Sequence, residues 1–229
     1  SGQALTIESG TVVKGMLGSG TEAAALIVTR GGQIFAEGTN ACPIIFTHEG
    51  DPLDGSVAFN LRGQWGGVII LGDAPINLAI GEGQVEGIPS ENDRSSYGGN
   101  NAEDNSGVLR YISIRHGGTQ LGAANEINGL TLAGVGSGTT IDHIEVLAND
   151  DDGIEFFGGT VNATNILVGF QGDDGVDIDM NYAGTVTNFL VMNGTNSDEA
   201  LEIDGPEGST YTDGLFSLVD GTVYTFGGT

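Results

Sequence analysis

The chain has 229 residues, and its 31 acidic side chains against 6 lysines and arginines give a formal net charge of −25 at pH 7. A surface of that sign excludes nucleic acid and anionic membranes as good partners and favours divalent cations. With 41 glycines and no long apolar stretch, the composition predicts many tight turns, few long helices and no membrane insertion. The one cysteine excludes an intrachain disulfide, and we expect Cys42 to be a buried, inert thiol at the start of an apolar strand.

Two N-terminal coils are predicted from short runs in which apolar and polar residues alternate, as they do in half-buried strands. The first coil is ALTIESGTVVKG. The second contains three apolar runs, Leu26 to Val28, Ile34 to Ala36 and Ile44 to Phe46, which glycine-rich corners separate. Three strands per turn is the cross-section of a β-helix.

The middle of the chain adds a buried strand, QWGGVIILGDAPIN, and then departs from the pattern. Trp65 is either a corner residue that covers the core or an exposed platform for a sugar ring, and the lack of companion tryptophans favours the corner. The polar stretch from Ile80 to Ser106 is too long for a turn. It is predicted to be a long surface loop on a single β-helix domain that spans residues 1–229.

A cluster of cationic side chains follows in GVLRYISIRHGG, where Arg110, Arg115 and His116 come close together. Such a cluster can bind the carboxylate of a substrate, or it can pair with acidic side chains of the protein itself. The second interpretation is favoured, and the expected partners are Glu103, Asp104 or Glu126.

The stretch from Asn149 to Asp204 contains one phrase three times, so that Gly153, Gly175 and Ala200 coincide at a repeat of slightly more than twenty residues. Two apolar columns are predicted, Ile154/Val176/Leu201 and Ile144/Leu167/Leu190/Leu215, together with a turn ladder of Asn165, Asn188 and Asp213. The sequence therefore predicts an all-β fold, a right-handed parallel β-helix (β-solenoid) with three strands per coil.

Several segments of the chain resemble a family of secreted or outer-surface bacterial parallel β-helix proteins. These segments are ALIVTRGGQIFAEGT, PIIFT, WGGVIILGDAPIN, GVLRYISIRHGG and the stretch from Asn125 to Asn162. The resemblance covers most of residues 4 to 192. It implies the β-helix fold and an extracellular or outer cell surface location, and members often carry lipoprotein signals or C-terminal sorting tails.

Acidic residues form columns beside the apolar ones. Glu155, Asp177 and Glu202 share one column, with Asp179 and Asp204 one step along, and two further columns precede the strands, Asp152/Asp174/Glu199 and Asp151/Asp173/Asp198. Stacked like charges cost about 1 kcal/mol per pair in water and roughly 3.5 at an effective dielectric constant of 20. Exposure to solvent, protonation or a bound cation relieves that repulsion. Because no lysine or arginine follows Arg115 in the sequence, we predict Ca²⁺ ligands among Asp151, Asp152, Asp173, Asp174, Asp177, Asp198 and Glu202. A solvated acidic face remains the alternative.

These patterns predict a structural or adhesive extracellular β-solenoid that calcium stabilises and that has no catalytic residues. Its terminal stretches, ALTIESGTVV and VYTFGGT, have the pattern of strands, so we expect the ends to pair head to tail. They pair either between copies, which would build filaments, or with a further segment of a longer chain. One alternative is a surface module that binds polysaccharide through the Ile80 to Ser106 loop. Another is a polygalacturonase-like glycoside hydrolase that uses the outward Asp177 and Asp179.

Overall fold

The computed structural model describes residues 2–78, 80–85, 88, 93–121, 127–205 and 215–226. Within these residues the chain forms strands and two single-turn 3₁₀ helices, Gly20–Glu22 and Asp93–Ser95. The strands are β1 (Ala4–Ile7), β2 (Val12–Gly15), β3 (Leu26–Val28), β4 (Gln33–Glu37), β5 (Ile44–His48), β6 (Val68–Leu71), β7 (Gly83–Gln84), β8 (Ser96–Tyr97), β9 (Gly107–Arg115), β10 (Leu130–Ala133), β11 (Thr140–Leu147), β12 (Ile154–Phe157), β13 (Asn162–Gly169), β14 (Val176–Asp179), β15 (Thr185–Asn193), β16 (Leu201–Ile203) and β17 (Ser217–Thr225).

Two parallel sheets form the body of the molecule. The larger contains nine strands along the path β1-β4-β9-β11-β13-β15-β17, with β2 and β5 beside them, and the smaller has the order β16-β14-β12-β10-β6-β3. The chain alternates between the two sheets and adds one coil at each return, which confirms the parallel β-helix. In the described part of the chain, no helix has the length and hydropathy needed to cross a membrane.

A single residue in the left-handed region bends each long strand of the larger sheet. These corner residues have φ between 50° and 57°, and they are Tyr111, His143, Asn165, Asn188 and Asp220. In the first two coils a short turn makes the same bend between β1 and β2 and between β4 and β5. Each coil therefore has two arms from the larger sheet and one strand from the smaller, which is the predicted three strands per coil.

The core consists of in-register columns of apolar side chains. In the smaller sheet, Ile154, Val176 and Leu201 are paired as predicted. The second arm of the larger sheet holds the column Phe46, Ile114, Val146, Val168 and Val191. All five of these side chains are buried, because they point into the coil from consecutive rungs.

The prediction of the second apolar column, Ile144/Leu167/Leu190/Leu215, was wrong by one residue. Ile144 pairs with Ile166, which pairs with Phe189, whereas Leu167 and Leu190 pair with one another on the outer face. The left-handed corner residue shifts the alternation, so the core residue comes one position after the corner and not two. Ile144 directly follows the corner His143, as Ile166 follows Asn165. Leu215, the last predicted member, lies outside the described strands and is exposed.

The predicted turn ladder is present at the corner. Asn188 Nδ2 donates to Asn165 Oδ1 at 2.6 Å, and Asn165 Nδ2 donates to Asp142 Oδ1 at 2.8 Å. Asparagine tolerates the left-handed conformation, so it serves both as the bend and as the hydrogen-bonding group. Asp213 lies outside the described residues, and Asp220 stands at the equivalent position of the last coil.

The stretch predicted as a polar loop contributes a second apolar cluster. Its strands β7 and β8 form an antiparallel hairpin, and Val85 and Tyr97 are buried against Phe157 and other residues on the outer face of the smaller sheet. Trp65 is also buried, as the corner interpretation predicted, and its Nε1 donates to the carbonyl of Arg115 at 2.8 Å.

Cys42 is exposed, so the prediction of a buried thiol was wrong. The strand begins only at Ile44, and Cys42 belongs to the tight turn before it, where its N–H donates to the carbonyl of Thr39 at 3.0 Å. Cys42 is therefore not part of the buried column that Ile44 begins.

The arginines of β9 pair with acids, but with other partners than those predicted. Arg110 contacts Asp142 at 3.2 Å and Glu37 at 3.8 Å, and Arg115 contacts Glu145 at 3.5 Å. These acids occupy outward positions on the adjacent rungs. Of the predicted partners, Asp104 is buried beside Ser106 and Glu126 lies outside the described residues.

We expect Val191→Asn to destabilise the protein by about 3 kcal/mol, because it places an unpaired amide in a dry column. For a chain of this size, that loss lowers Tm by roughly 6–12 °C. Leu190→Asn, one residue away on the outer face, is the matched control and should change Tm little. Thermal melts followed by circular dichroism compare the two, and equal losses would contradict the register.

Candidate metal centre

The acidic cluster lies on the outer face of three neighbouring strands of the smaller sheet. Glu155 of β12 pairs with Asp177 of β14, which pairs with Glu202 of β16. Because alternate residues of a strand point to opposite faces, the flanking Ile154 and Phe156 fill the core while Glu155 points outward. The fold thus stacks one carboxylate on each rung.

The turns before these strands bring further carboxylates to the same place. Asp152 Oδ1 accepts the N–H of Asp174 at 3.0 Å, and Asp174 Oδ1 accepts the N–H of Glu199 at 2.7 Å. Each side chain therefore bonds to the backbone of the next coil. This repeated hydrogen bond orients Asp152 and Asp174 and leaves part of each carboxylate available for another partner.

Two groups of three carboxylates meet closely enough to share one ion. Oxygens of Asp152, Glu155 and Asp177 lie within 4.8 Å of one another, and so do those of Asp151, Asp152 and Asp173. Asp152 belongs to both groups. Asp152, Glu155 and Asp177 are only 7%, 8% and 8% exposed, so the first group is almost entirely withdrawn from solvent.

Two buried oxygens at the first group lack a hydrogen bond. Asn128 Nδ2 donates to Glu155 Oε2, but Asn128 Oδ1 has no hydrogen-bond partner among the described residues. The same holds for Asp177 Oδ1. Buried oxygens without a donor are destabilising unless a proton or a cation satisfies them.

Burial and mutual repulsion move the pKa values of these acids upward. Burial, reinforced by the charge of Asp151, raises the pKa of Asp152 to about 9. Burial and the charge of Asp177 raise the pKa of Glu155, and the two carboxyls share a hydrogen bond. Burial and a hydrogen bond with Glu202 raise the pKa of Asp174 to about 8. At neutral pH and without a cation, the cluster therefore retains protons.

A cationic side chain from earlier in the chain lies near the turn that precedes β12. Arg62 interacts electrostatically with Asp150, one residue before the cluster, and burial lowers the pKa of Arg62. Arg62 comes from residues 49–64, which cross the outer surface between coils. A contact between segments so distant in sequence leaves no local signal.

Four of the predicted ligands, Asp151, Asp152, Asp173 and Asp177, belong to the two groups. Asp174 lies buried beside Glu202, while Asp198 and Glu202 are exposed on the last rung and belong to neither group. Sequence reasoning did not choose Glu155 or Asn128. The register reveals Asn128, because Leu130 pairs with Ile154 and so Asn128 occupies the column of Asp152.

A family model described as a pectate-lyase-like β-helix domain matches residues 1–219. The chain belongs to this family. The match confirms the predicted resemblance to parallel β-helix proteins. Searches of curated proteins and of solved structures found no match to this pectate-lyase-like β-helix.

The donor set of this pectate-lyase-like β-helix fits a hard cation. Both groups consist of carboxylate oxygens alone, which are ligands that Ca²⁺ prefers. Ca²⁺ binds about six to eight oxygens, and each carboxylate can supply one or both of its own. The unpartnered Asp177 Oδ1 adds an oxygen that is already desolvated. Asp152, Glu155 and Asp177 would hold the ion, and Asp151 and Asp173 would hold it or a second one.

Stability without cations should fall as pH rises from about 5 to about 9, because the folded state retains a proton on Asp152 that the unfolded chain has released. For that one group the slope is about −1.4 kcal/mol per pH unit. Urea unfolding in chelator at constant ionic strength measures it. Asp152→Asn should make the slope shallower, and an unchanged slope in that variant would contradict a raised pKa of Asp152.

Proposed function

We propose that this β-solenoid is an extracellular structural or adhesive element that calcium stabilises. The observation that carries the proposal is the convergence of Asp152, Glu155 and Asp177, buried on adjacent rungs with an unpartnered oxygen on Asp177. A divalent cation would replace the retained protons and satisfy that oxygen.

Electrostatics favour a cation over a merely solvated face. Two unit charges 4 Å apart repel by about 1 kcal/mol in water and by about 4 kcal/mol at an effective dielectric constant of 20. The three carboxylates of the first group cannot turn into solvent, because each is less than a tenth exposed. A cation at their centre converts this repulsion into attraction and adds stability through mass action.

An extracellular or outer-surface location agrees with this chemistry. Extracellular modules bind Ca²⁺ with dissociation constants of roughly 10⁻⁴–10⁻³ M, which a few carboxylates with imperfect geometry can reach. The net charge of −25 also disfavours nucleic acid and anionic membranes as partners. The resemblance to secreted β-helix proteins supports the same location.

The enzymatic and carbohydrate-binding alternatives have less support from the geometry. Members of one fold family can be enzymes or non-enzymes. Glycosidase carboxyls lie about 5 to 9.5 Å apart and flank an open substrate site. Here Asp177 is buried and shares a hydrogen bond with Glu155. Tyr97, the aromatic residue of the Ile80 to Ser106 stretch, is buried and offers no face for a sugar.

Calcium at 100 times its dissociation constant should stabilise the protein by about 2.7 kcal/mol. Asp152→Asn combined with Asp177→Asn should abolish most of this gain and should raise stability in chelator, because it removes buried repulsion. Asp198→Asn removes the same kind of charge from an exposed position and should leave the calcium response unchanged. Melts by differential scanning calorimetry, with chelator and with excess calcium, supply the measurement.

Superimposable melts of the parent protein in chelator and calcium would reject the cation and leave a solvated acidic face. Reducing ends released from a polysaccharide by the parent protein, but not by Asp177→Asn, would assign the cluster to a hydrolase instead. Retention of the parent protein on a glycan array, without cleavage, would favour a carbohydrate-binding module.

The structural role includes self-association along the solenoid axis. Strands β1, β2 and β3 at one end and β16 and β17 at the other each have a described neighbour on one side only. Ile203 is 51% exposed and Val223 is 46% exposed, although both continue core columns. Parallel edges of this kind pair readily with another copy, and a contact between opposite ends repeats without closing.

Lysine at Ile203 and Val223 should prevent self-association, because charges at a strand edge block pairing. Thr187→Lys, on the outer face of β15, is the control and should leave association unchanged. Light scattering over a concentration series, with electron microscopy of the largest species, follows the outcome. A parent protein that stays monomeric at high concentration with calcium present would overturn this part of the proposal.

A further inference from the structure

Residues 49–64 run as a strap over the outer surface of several coils. They leave the end of β5 and return to the coil at Trp65. Midway, the ring of Phe59 stacks on that of Phe170, with centroids 4.8 Å apart and planes 6° from parallel. Near its end, Arg62 interacts with Asp150. The strap therefore connects the early coils to the acidic later ones.

Two buried histidines hold the two ends of this strap. The N–H of Gly50 donates to His48 Nδ1 at 3.2 Å, and His116 Nδ1 lies 2.7 Å from the carbonyl of Leu61. The rings of His48 and His116 meet edge to face with centroids 5.6 Å apart. The start and the end of the strap thus meet at one pair of rings, beside backbone hydrogen bonds from Gly63 to Gly117 and from Gln64 to His116.

These contacts define which nitrogen carries the proton. His48 Nδ1 accepts a hydrogen bond, so the neutral ring has its proton on Nε2, which is buried without a partner among the described residues. His116 Nδ1 must donate, since a carbonyl oxygen only accepts. Protonation of His48 would place a second donor opposite the N–H of Gly50 and a buried positive charge beside His116.

The charged groups around His48 do not compensate for that charge. Burial lowers the pKa of His48, and His116 and Lys14 lower it further, while Asp51 and Glu49 oppose them. The carboxylate of Asp51 is already engaged, because it accepts from Thr47 Oγ1 and the N–H of Leu53, both at 2.8 Å. The positive charge of Arg115 also attracts the carboxylate of Asp51. Lys14 Nζ donates to the carbonyl of Asp51 at 2.6 Å.

We propose that residues 49–64 form an acid-released strap whose latch is the pair His48 and His116. His48 accepts from the N–H of Gly50 only while it is neutral, so it stabilises closure above the ordinary histidine pKa of about 6.5 and loses that contribution as pH falls below it. Opening would expose the rings of Phe59 and Phe170, separate Arg62 from Asp150 and widen a cleft of about 370 Å³. The mechanism needs no bound cation.

The strap cleft has a lining that opening would change. Strap residues Asp51 and Phe59 form one wall, and Arg115, His116 and Glu145 lie on the other. Because Phe59 is half exposed while its face covers Phe170, strap release would uncover that face of Phe170, whose ring also stacks on Phe226. The protein would then expose more apolar surface in acid than at neutral pH.

Hydrogen–deuterium exchange of the strap peptide, in chelator and corrected for intrinsic rates, tests the proposal. Between about pH 7.5 and pH 5, protection of the parent strap should fall by more than about twofold, while peptides from β13 and β15 keep theirs. In His48→Asn with His116→Asn it should change less than about twofold. The first substitution leaves an acceptor for the N–H of Gly50, as in an Asx turn, and the second introduces a residue type that tolerates the φ of 59° found at His116.

Constant protection of the parent strap across this range would overturn the proposal, and so would an equal loss in the double variant. Circular dichroism at both pH values shows that the coils remain folded. If the double variant fails to fold, His116→Asn alone should still reduce the loss, and the parent measurement decides by itself. Since chelator is present throughout, a failure here does not depend on the calcium proposal.

Discussion

In-register parallel stacking is the constraint on which the rest of this structure depends. Each side chain lies about 4.8 Å from its equivalent on the next coil, so like residues at equivalent positions of successive coils meet directly. This arrangement stabilises the apolar columns, and the corner asparagines hydrogen-bond to one another. It destabilises stacked carboxylates, because Glu155 and Asp177 meet as like charges. The geometry that makes the core therefore also makes the electrostatic problem that protons or a cation relieve.

Neighbours on the outer face decide which outward residues are buried. The apolar cluster around Tyr97 covers Phe157, and Asn128, in the column of Asp152, bonds to Glu155. A carboxylate column in open solvent retains ordinary pKa values, whereas the same column under a cover does not. Coverage, more than the number of acids, gives Asp152, Glu155 and Asp177 their unusual chemistry.

The strap, residues 49–64, links parts of the molecule that the coil keeps apart. It joins the histidine pair, the aromatic stack and Arg62 in one short segment. The acid-released strap and the calcium cluster are proposed on separate grounds, although Arg62 of the strap interacts with Asp150, which directly precedes the cluster. Membership of the pectate-lyase-like family supplies the scaffold for both and assigns neither.

The sequence by itself determined the fold class and the column Ile154, Val176 and Leu201, because parallel stacking repeats the same environment and periodicity reports it directly. Four of the seven predicted ligands converge for the same reason. Only the tertiary structure decided the register of the second arm, since one left-handed residue at His143 shifts the alternation without any change in composition. Only the structure brought Asn128 to Glu155, Arg62 to Asp150 and His48 to His116. These contacts join segments on different coils or on the strap, and hydrophobic periodicity carries no information about which outward residues another segment will cover.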